Sequence, residues 1–110
     1  MIPYYTSRSI VRLMNTAGLH ATLIDSNDST ITDKYDRIIY GSVKCSVGER
    51  GKLIKMTVRF KDTQGHKIKE VVFFDHLCKE VAFTIPLKTK VLKQPDLKVI
   101  FTFDLEAFLN

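Results

Sequence analysis

The side chains of this sequence best suited to hold a metal ion, or to act as nucleophile and base, are Asp75, His76, Cys78 and the distant Cys45. A structural zinc site needs four ligands in paired short spacings, and this set supplies half of one pair. A thiolate with a histidine base also needs an orienting group and an oxyanion hole, for which the sequence offers no candidate. We therefore predict no enzyme, no catalytic residue, no metal and no cofactor, and two buried thiols of a reducing compartment.

A glycine pair followed by lysine, Gly48-Glu49-Arg50-Gly51-Lys52, has the residue types of a phosphate-binding loop. That loop needs four residues between its glycines, and only two stand here. Leu53 also occupies the position where Ser or Thr should hold magnesium. The segment is therefore predicted to be a hairpin turn.

Basic residues alternate with other types in the middle of the chain, where two strands joined by a turn over Asp62 to His66 are predicted to pair. The cations predicted to project from the outer side of this hairpin, around Thr57, are Lys55, Arg59, Lys61, Lys67 and Lys69. Such a stripe could follow a nucleic-acid backbone or meet an acidic partner, with a binding constant that depends steeply on salt. The alternative is a solvated face that keeps the sheet soluble and blunts an edge.

Apolar residues crowd both ends of the sequence, and apolar surface at a chain end must be covered. The residues predicted to form a protein interface are Tyr4, Tyr5, Phe103, Leu105, Phe108 and Leu109. Two arrangements stay open for the last residues. Either Asp104 caps a short helix that folds back on the core, or the end docks onto a neighbouring protein.

One helix is predicted near the start of the chain, from about Arg8 to Ala17. Ile10, Leu13, Met14 and Ala17 fall at the i, i+3, i+4, i+7 spacing of an amphipathic helix. Gly18 follows where a left-handed residue commonly ends a helix.

The remainder is strand-like, because alternation and turn residues recur every 8 to 15 positions. The clearest alternation of apolar and polar residues places Ile54, Met56, Val58 and Phe60 on one face of a strand. The six predicted strands are Leu19 to Ile24, Ile38 to Val47, Ile54 to Phe60, Lys67 to Phe74, Val81 to Ile85 and Leu97 to Phe103. We predict an α+β, mainly β fold: an antiparallel sheet rolled into a small barrel or sandwich with one N-terminal amphipathic helix.

The composition, 45% hydrophobic and 26% charged over 110 residues, is typical of one soluble domain, predicted to span residues 1–110. No apolar run approaches the roughly 18 residues of a membrane-spanning helix, and no signal peptide is predicted. We therefore expect a cytoplasmic protein with no membrane partner. The net charge of +5 favours weak attraction to phosphate or to an acidic protein.

The segment Ala17-Gly18-Leu19-His20-Ala21-Thr22-Leu23, after a helix and before a polar loop, resembles small neck proteins of tailed phages, the head-tail connector or head-completion class. The resemblance covers about the first 60 residues by pattern. It implies a structural protein that forms a ring between capsid portal and tail through copies of itself. In an infected cell, its place would be the host cytoplasm or the assembled virion.

Three functions follow as expectations. The first is a non-enzymatic assembly protein, a head-tail junction component that binds protein partners and forms a homo-oligomer. The second is a sequence-tolerant nucleic-acid binder built on a barrel similar to the OB fold. The third is a small inhibitor of a host protein.

Overall fold

Six antiparallel strands form one sheet in the computed structural model, which describes residues 11–12, 15–16, 18–47, 53–75 and 79–103 and the backbone of Asp104. Their order across the sheet is β5-β4-β1-β2-β3-β6, and the sheet curls into a half-barrel. The strands are β1 (Leu19–Asp25), β2 (Gly41–Val47), β3 (Leu53–Phe60), β4 (Ile68–Asp75), β5 (Val81–Pro86) and β6 (Leu97–Asp104).

The inner face of the sheet carries the hydrophobic core, because alternate residues of each strand point inward and these residues are mostly apolar. Ile54, Met56, Val58 and Phe60 of β3 are at most 1% exposed, as their spacing predicts. Burial of one such side chain stabilises the fold by about 1.5–3 kcal/mol relative to exposure.

The curl brings distant strands into contact through aromatic rings. Phe73 of β4 stacks on Phe83 of its neighbour β5, with ring centroids 4.6 Å apart. It also meets Phe101 of β6 edge-on at 6.1 Å, although three strands separate β4 from β6 in the sheet. The core is therefore enclosed by the sheet folding over itself.

The seam between β1 and β2 is short, with only the pairs Ala21–Gly41 and His20–Ser42. Beyond these two pairs, residues 30–39 return to β1 through a single bridge, Ile24–Thr30. On the same edge of β2, the side chain of Asn15 forms the hydrogen bonds with Cys45 that a neighbouring strand would otherwise form. The Asn15 Nδ2 donates to the Cys45 carbonyl and the Cys45 N–H donates to Asn15 Oδ1, both at 3.1 Å. One amide thus satisfies both backbone groups of Cys45 on that edge.

A return segment, residues 87–96, carries the chain from β5 at one edge of the sheet to β6 at the other. Its backbone is held by hydrogen bonds from Leu87 N–H to the Lys69 carbonyl (2.8 Å) and from Leu92 N–H to the His66 carbonyl (2.9 Å). These bonds explain how a connection without regular structure keeps a fixed course.

All six predicted strands are present, with bounds shifted by a few residues. The predicted pairing of β3 with β4 is wrong: β3 pairs with β2 and β6, and β4 pairs with β1 and β5. Strands that follow one another in sequence are commonly neighbours in the sheet, but here β1 and β2 lie between β4 and β3. The predicted helix from Arg8 to Ala17 lies mostly outside the described residues and is not confirmed.

Candidate nucleic-acid interface

Three neighbouring strands, β2, β3 and β6, turn four cations and three hydroxyls to the outer side of the sheet. They line a shallow groove of about 580 Å³. The alternation that buries Cys45, Met56 and Val58 inside forces the residues between them outward. We call this surface the cationic face; its residues are Ser42, Lys44, Ser46, Lys55, Thr57, Arg59 and Lys98.

The register of the strands fixes the spacing of these side chains. Ser42 pairs with Arg59, and Arg59 pairs with Lys98, so these three form one row across the sheet. Lys55 pairs with Ser46 of β2 on one side and with Thr102 of β6 on the other. Neighbouring strands are about 4.8 Å apart, and four residues along a strand span about 13 Å. The cations are therefore spread over an area and do not converge on one point.

The cationic face holds no acidic side chain among its seven residues. Within the described part of the chain, no ion pair involves Lys44, Lys55, Arg59 or Lys98. Clustered like charges repel one another, so their placement does nothing for the stability of the fold. A bound polyanion would relieve that repulsion.

Two cations outside the cationic face, Arg37 and Lys69, form ion pairs among the described residues. Lys69 forms a hydrogen-bonded ion pair with Asp28, which raises the pKa of Lys69. Asp33 accepts the backbone N–H groups of Arg37 (3.0 Å) and Tyr35 (2.8 Å) and pairs with the Arg37 side chain at 3.3 Å. The hydrogen bond from the Arg37 backbone is the largest cause of the lowered pKa of Asp33. The contacts of Asp33 close the turn over residues 33–37.

The predicted stripe of five cations is divided by the sheet order. Lys55 and Arg59 lie on the outer side of β3, and Lys61 is exposed just beyond the strand. Lys67, just before β4, and Lys69, within it, are exposed, and β1 and β2 lie between β4 and β3. The predicted single stripe on paired strands is therefore wrong.

Two cations of the cationic face, Lys44 and Lys98, are not among the five predicted from the sequence. The signal was present in β2, where Ser42, Lys44 and Ser46 alternate with buried or half-buried residues, and in β6. Alternation alone could place them on outer faces, but only the pairing of β3 with both strands brings them beside Arg59.

A second groove, of about 650 Å³, lies on the same outer side over β1, β4 and β5. Its centre is a ring cluster in which His20 lies 5.9 Å from Phe74 and 6.4 Å from Tyr40, and Tyr40 lies 6.1 Å from Phe74. Tyr40 remains 57% exposed. We call this surface the aromatic groove; its residues are His20, Thr22, Thr30, Ile38, Tyr40, Val72, Phe74, Lys79 and Val81.

The remaining predicted chemistry is only partly covered by the structure. Cys45 is a buried free thiol, as predicted, and burial raises the pKa of this thiol. His76, Cys78 and the segment from 48 to 52 lie outside the described residues. Within the described ranges, no three His, Cys, Asp or Glu side chains group as metal ligands.

Most residues of the predicted protein interface lie outside the described residues. Phe103 is half-buried and packs against the core, so its ring is engaged within the chain. Tyr4, Tyr5, Leu105, Phe108 and Leu109 lie outside the described residues.

In the part of the chain that the structure covers, no helix is long and apolar enough to cross a membrane. Comparison with known proteins gives no match, whether to a protein-family model, to a curated protein or to a solved structure.

Proposed function

We propose that this protein binds the phosphate backbone of nucleic acid through the cationic face and catalyses no reaction. The observation that carries the proposal is the gathering of Lys44, Lys55, Arg59 and Lys98 on three adjacent strands with no ion pair among the described residues. Lysine, arginine and hydroxyl side chains are the usual donors to phosphate oxygens.

The spread of the cations favours a polymer over a small anion. Lys55 and Arg59 lie about 13 Å apart along β3, and Lys98 stands one strand to the side of Arg59. A single phosphate could touch only part of this surface. Successive phosphates of one backbone could reach all of it, and each contact would release counterions.

The proposal is tested by removing two charges from the cationic face and two from elsewhere. The test variant is Lys55→Gln with Arg59→Gln, and the matched control is Lys88→Gln with Lys90→Gln, two exposed lysines of the return segment. Fluorescence anisotropy with an oligothymidylate of about 20 nucleotides measures the binding constant between about 50 and 200 mM salt.

We expect the test variant to lose about fourteenfold in affinity at about 0.15 M salt, with a salt slope smaller by about 1.4, because each single-strand phosphate contact contributes about 0.7. The control variant has the same net charge as the test variant and should retain the wild-type affinity and salt slope. No binding of the oligothymidylate or of a duplex of equal length at the lowest salt, or equal losses in the two variants, would overturn the proposal.

An assembly role, as in a phage head-tail junction, is the second candidate function. It is favoured by β6, an edge strand of eight residues that pairs with β3 without a register shift and leaves Ile100 47% exposed. Edge strands are templates for pairing with another chain. Ring formation predicts a closed oligomer in native mass measurements, and a monomer at about 1 mM would contradict it. Nothing in the described residues favours an inhibitor of a host protein.

A further inference from the structure

The cationic face and the aromatic groove are parts of one continuous surface. Strand register joins Phe74 to His20, His20 to Ser42, Ser42 to Arg59, and Arg59 to Lys98. The row crosses five strands on the outer side of the sheet and changes from aromatic to cationic at the β1–β2 seam. With strands about 4.8 Å apart, His20 and Arg59 are separated by about 10 Å.

We infer that this surface takes single-stranded nucleic acid, with the backbone on the cationic face and one or more bases in the aromatic groove. The inference rests on the proposed function and narrows its ligand. A strand lying along the β1–β2 seam would have its phosphates on the side of Arg59 and its bases on the side of His20.

The ring cluster is arranged to receive a flat, polar-edged ligand. Tyr40 meets His20 and Phe74 edge-on, and 57% of the tyrosine is exposed, so part of its surface is available for stacking. The hydroxyls of Thr22 and Thr30 and the ammonium of Lys79 stand at the same groove. Bases carry acceptors and donors at their edges and an apolar π-face, which matches this mixture.

A duplex would not use the groove in this way. The faces of paired bases are stacked on one another inside the helix, and only their edges are reachable. An unpaired strand presents those faces, and aromatic side chains that stack on them are typical of single-strand binders. The outer surface also offers no protruding helix or ribbon within the described residues that could enter a major groove.

The charge pattern favours a nucleotide chain over an apolar peptide as the ligand. A peptide that filled the aromatic groove would gain nothing from Ser42, Arg59 and Lys98, which continue the same row. A nucleotide chain uses both parts, because its negative charges and its rings alternate at short range.

The test compares three probes of equal length: an oligothymidylate, an abasic strand with the same phosphates, and a duplex. Wild-type protein should bind the oligothymidylate more tightly than the abasic strand and the duplex. Tyr40→Ala should weaken oligothymidylate binding by roughly five- to 150-fold, the range for loss of one base-stacking contact. Affinity for the abasic strand and its salt slope should stay unchanged, because the phosphate contacts are intact.

Two control variants test whether a loss of affinity in Tyr40→Ala is due to loss of the Tyr40 ring. Tyr40→Phe keeps the ring and should retain affinity, which separates stacking from a hydroxyl contact. Tyr35→Ala removes another exposed tyrosine, 65% exposed, from a loop outside the row and should have no effect. Circular dichroism spectra and melting curves of all three variants check that the fold is kept.

The outcomes separate the two proposals. Equal binding of oligothymidylate and abasic strand, with no effect of Tyr40→Ala, would overturn the single-strand inference and leave backbone binding standing. Preference for the duplex would do the same. Failure of all three probes to bind would overturn backbone binding itself.

Discussion

The two halves of the outer surface differ in chemistry while sharing one core. The half over β2, β3 and β6 presents hydroxyls and cations such as Lys55 and Arg59. The half over β1, β4 and β5 presents rings and aliphatic side chains such as Tyr40 and Phe74. Inside, both halves are apolar and pack together through Phe73 and Phe101.

Folding constrains the inward residues of this sheet more tightly than the outward ones. An inward position must be apolar and of fitting size, since core packing tolerates little error. An outward position on a strand accepts most residues at small energetic cost. A sorted pattern of outward residues therefore needs another cause, and a ligand that is part charged and part aromatic supplies one.

We expect the largest effect of a single substitution on stability at the seam between the two halves. Gly41 lies there opposite Ala21, and a Cβ at Gly41 would stand 2.4 Å from the nearest ring carbon of Phe60. The Phe60 ring is 1% exposed and has little room to move aside. Gly41→Ala should therefore lower the free energy of unfolding by about 1–3 kcal/mol.

Urea titration of Gly41→Ala beside Ser42→Ala measures this effect. Ser42 is the next residue, is exposed on the outer side, and should change the free energy of unfolding by no more than about 0.5 kcal/mol. A Gly41→Ala protein as stable as the wild type would show that the ring adjusts freely and that the seam is not tightly packed.

The sequence predicted the inner face well because its signal is local. In β3, the alternation of Ile54, Met56, Val58 and Phe60 with polar residues is complete within eight positions, and all four are buried. Burial of Cys45 follows from the same rule. Strand existence and the side to be buried are thus readable without any knowledge of the sheet order.

The candidate site was harder to predict because it depends on long-range pairing. Lys98 is 39 positions beyond Arg59, and nothing local to either residue indicates that they stand side by side. Consecutive strand residues point to opposite faces, so Phe73 is buried in the core whereas Phe74 lies beside His20 on the outer side. The sheet order decides which outward residues meet, and the turn predicted from Asp62 to His66 indicates the wrong order.

The smallest effect is expected from a comparison of two lysines, one that forms an ion pair and one that forms none among the described residues. Lys69 and Lys98 are both exposed strand lysines, but Lys69 is hydrogen-bonded to Asp28, whereas Lys98 stands beside Arg59 on the cationic face. Lys98→Gln should weaken binding of an oligothymidylate about fourfold at about 0.15 M salt and reduce the salt slope by about 0.7. Lys69→Gln should change the binding constant by less than about twofold, since the charge of Lys69 is already offset by a carboxylate and β1 and β2 lie between its strand and β3. Equal effects of the two variants in the same anisotropy titration would mean that binding responds to net charge alone and that the division of the outer surface into two halves has no functional meaning.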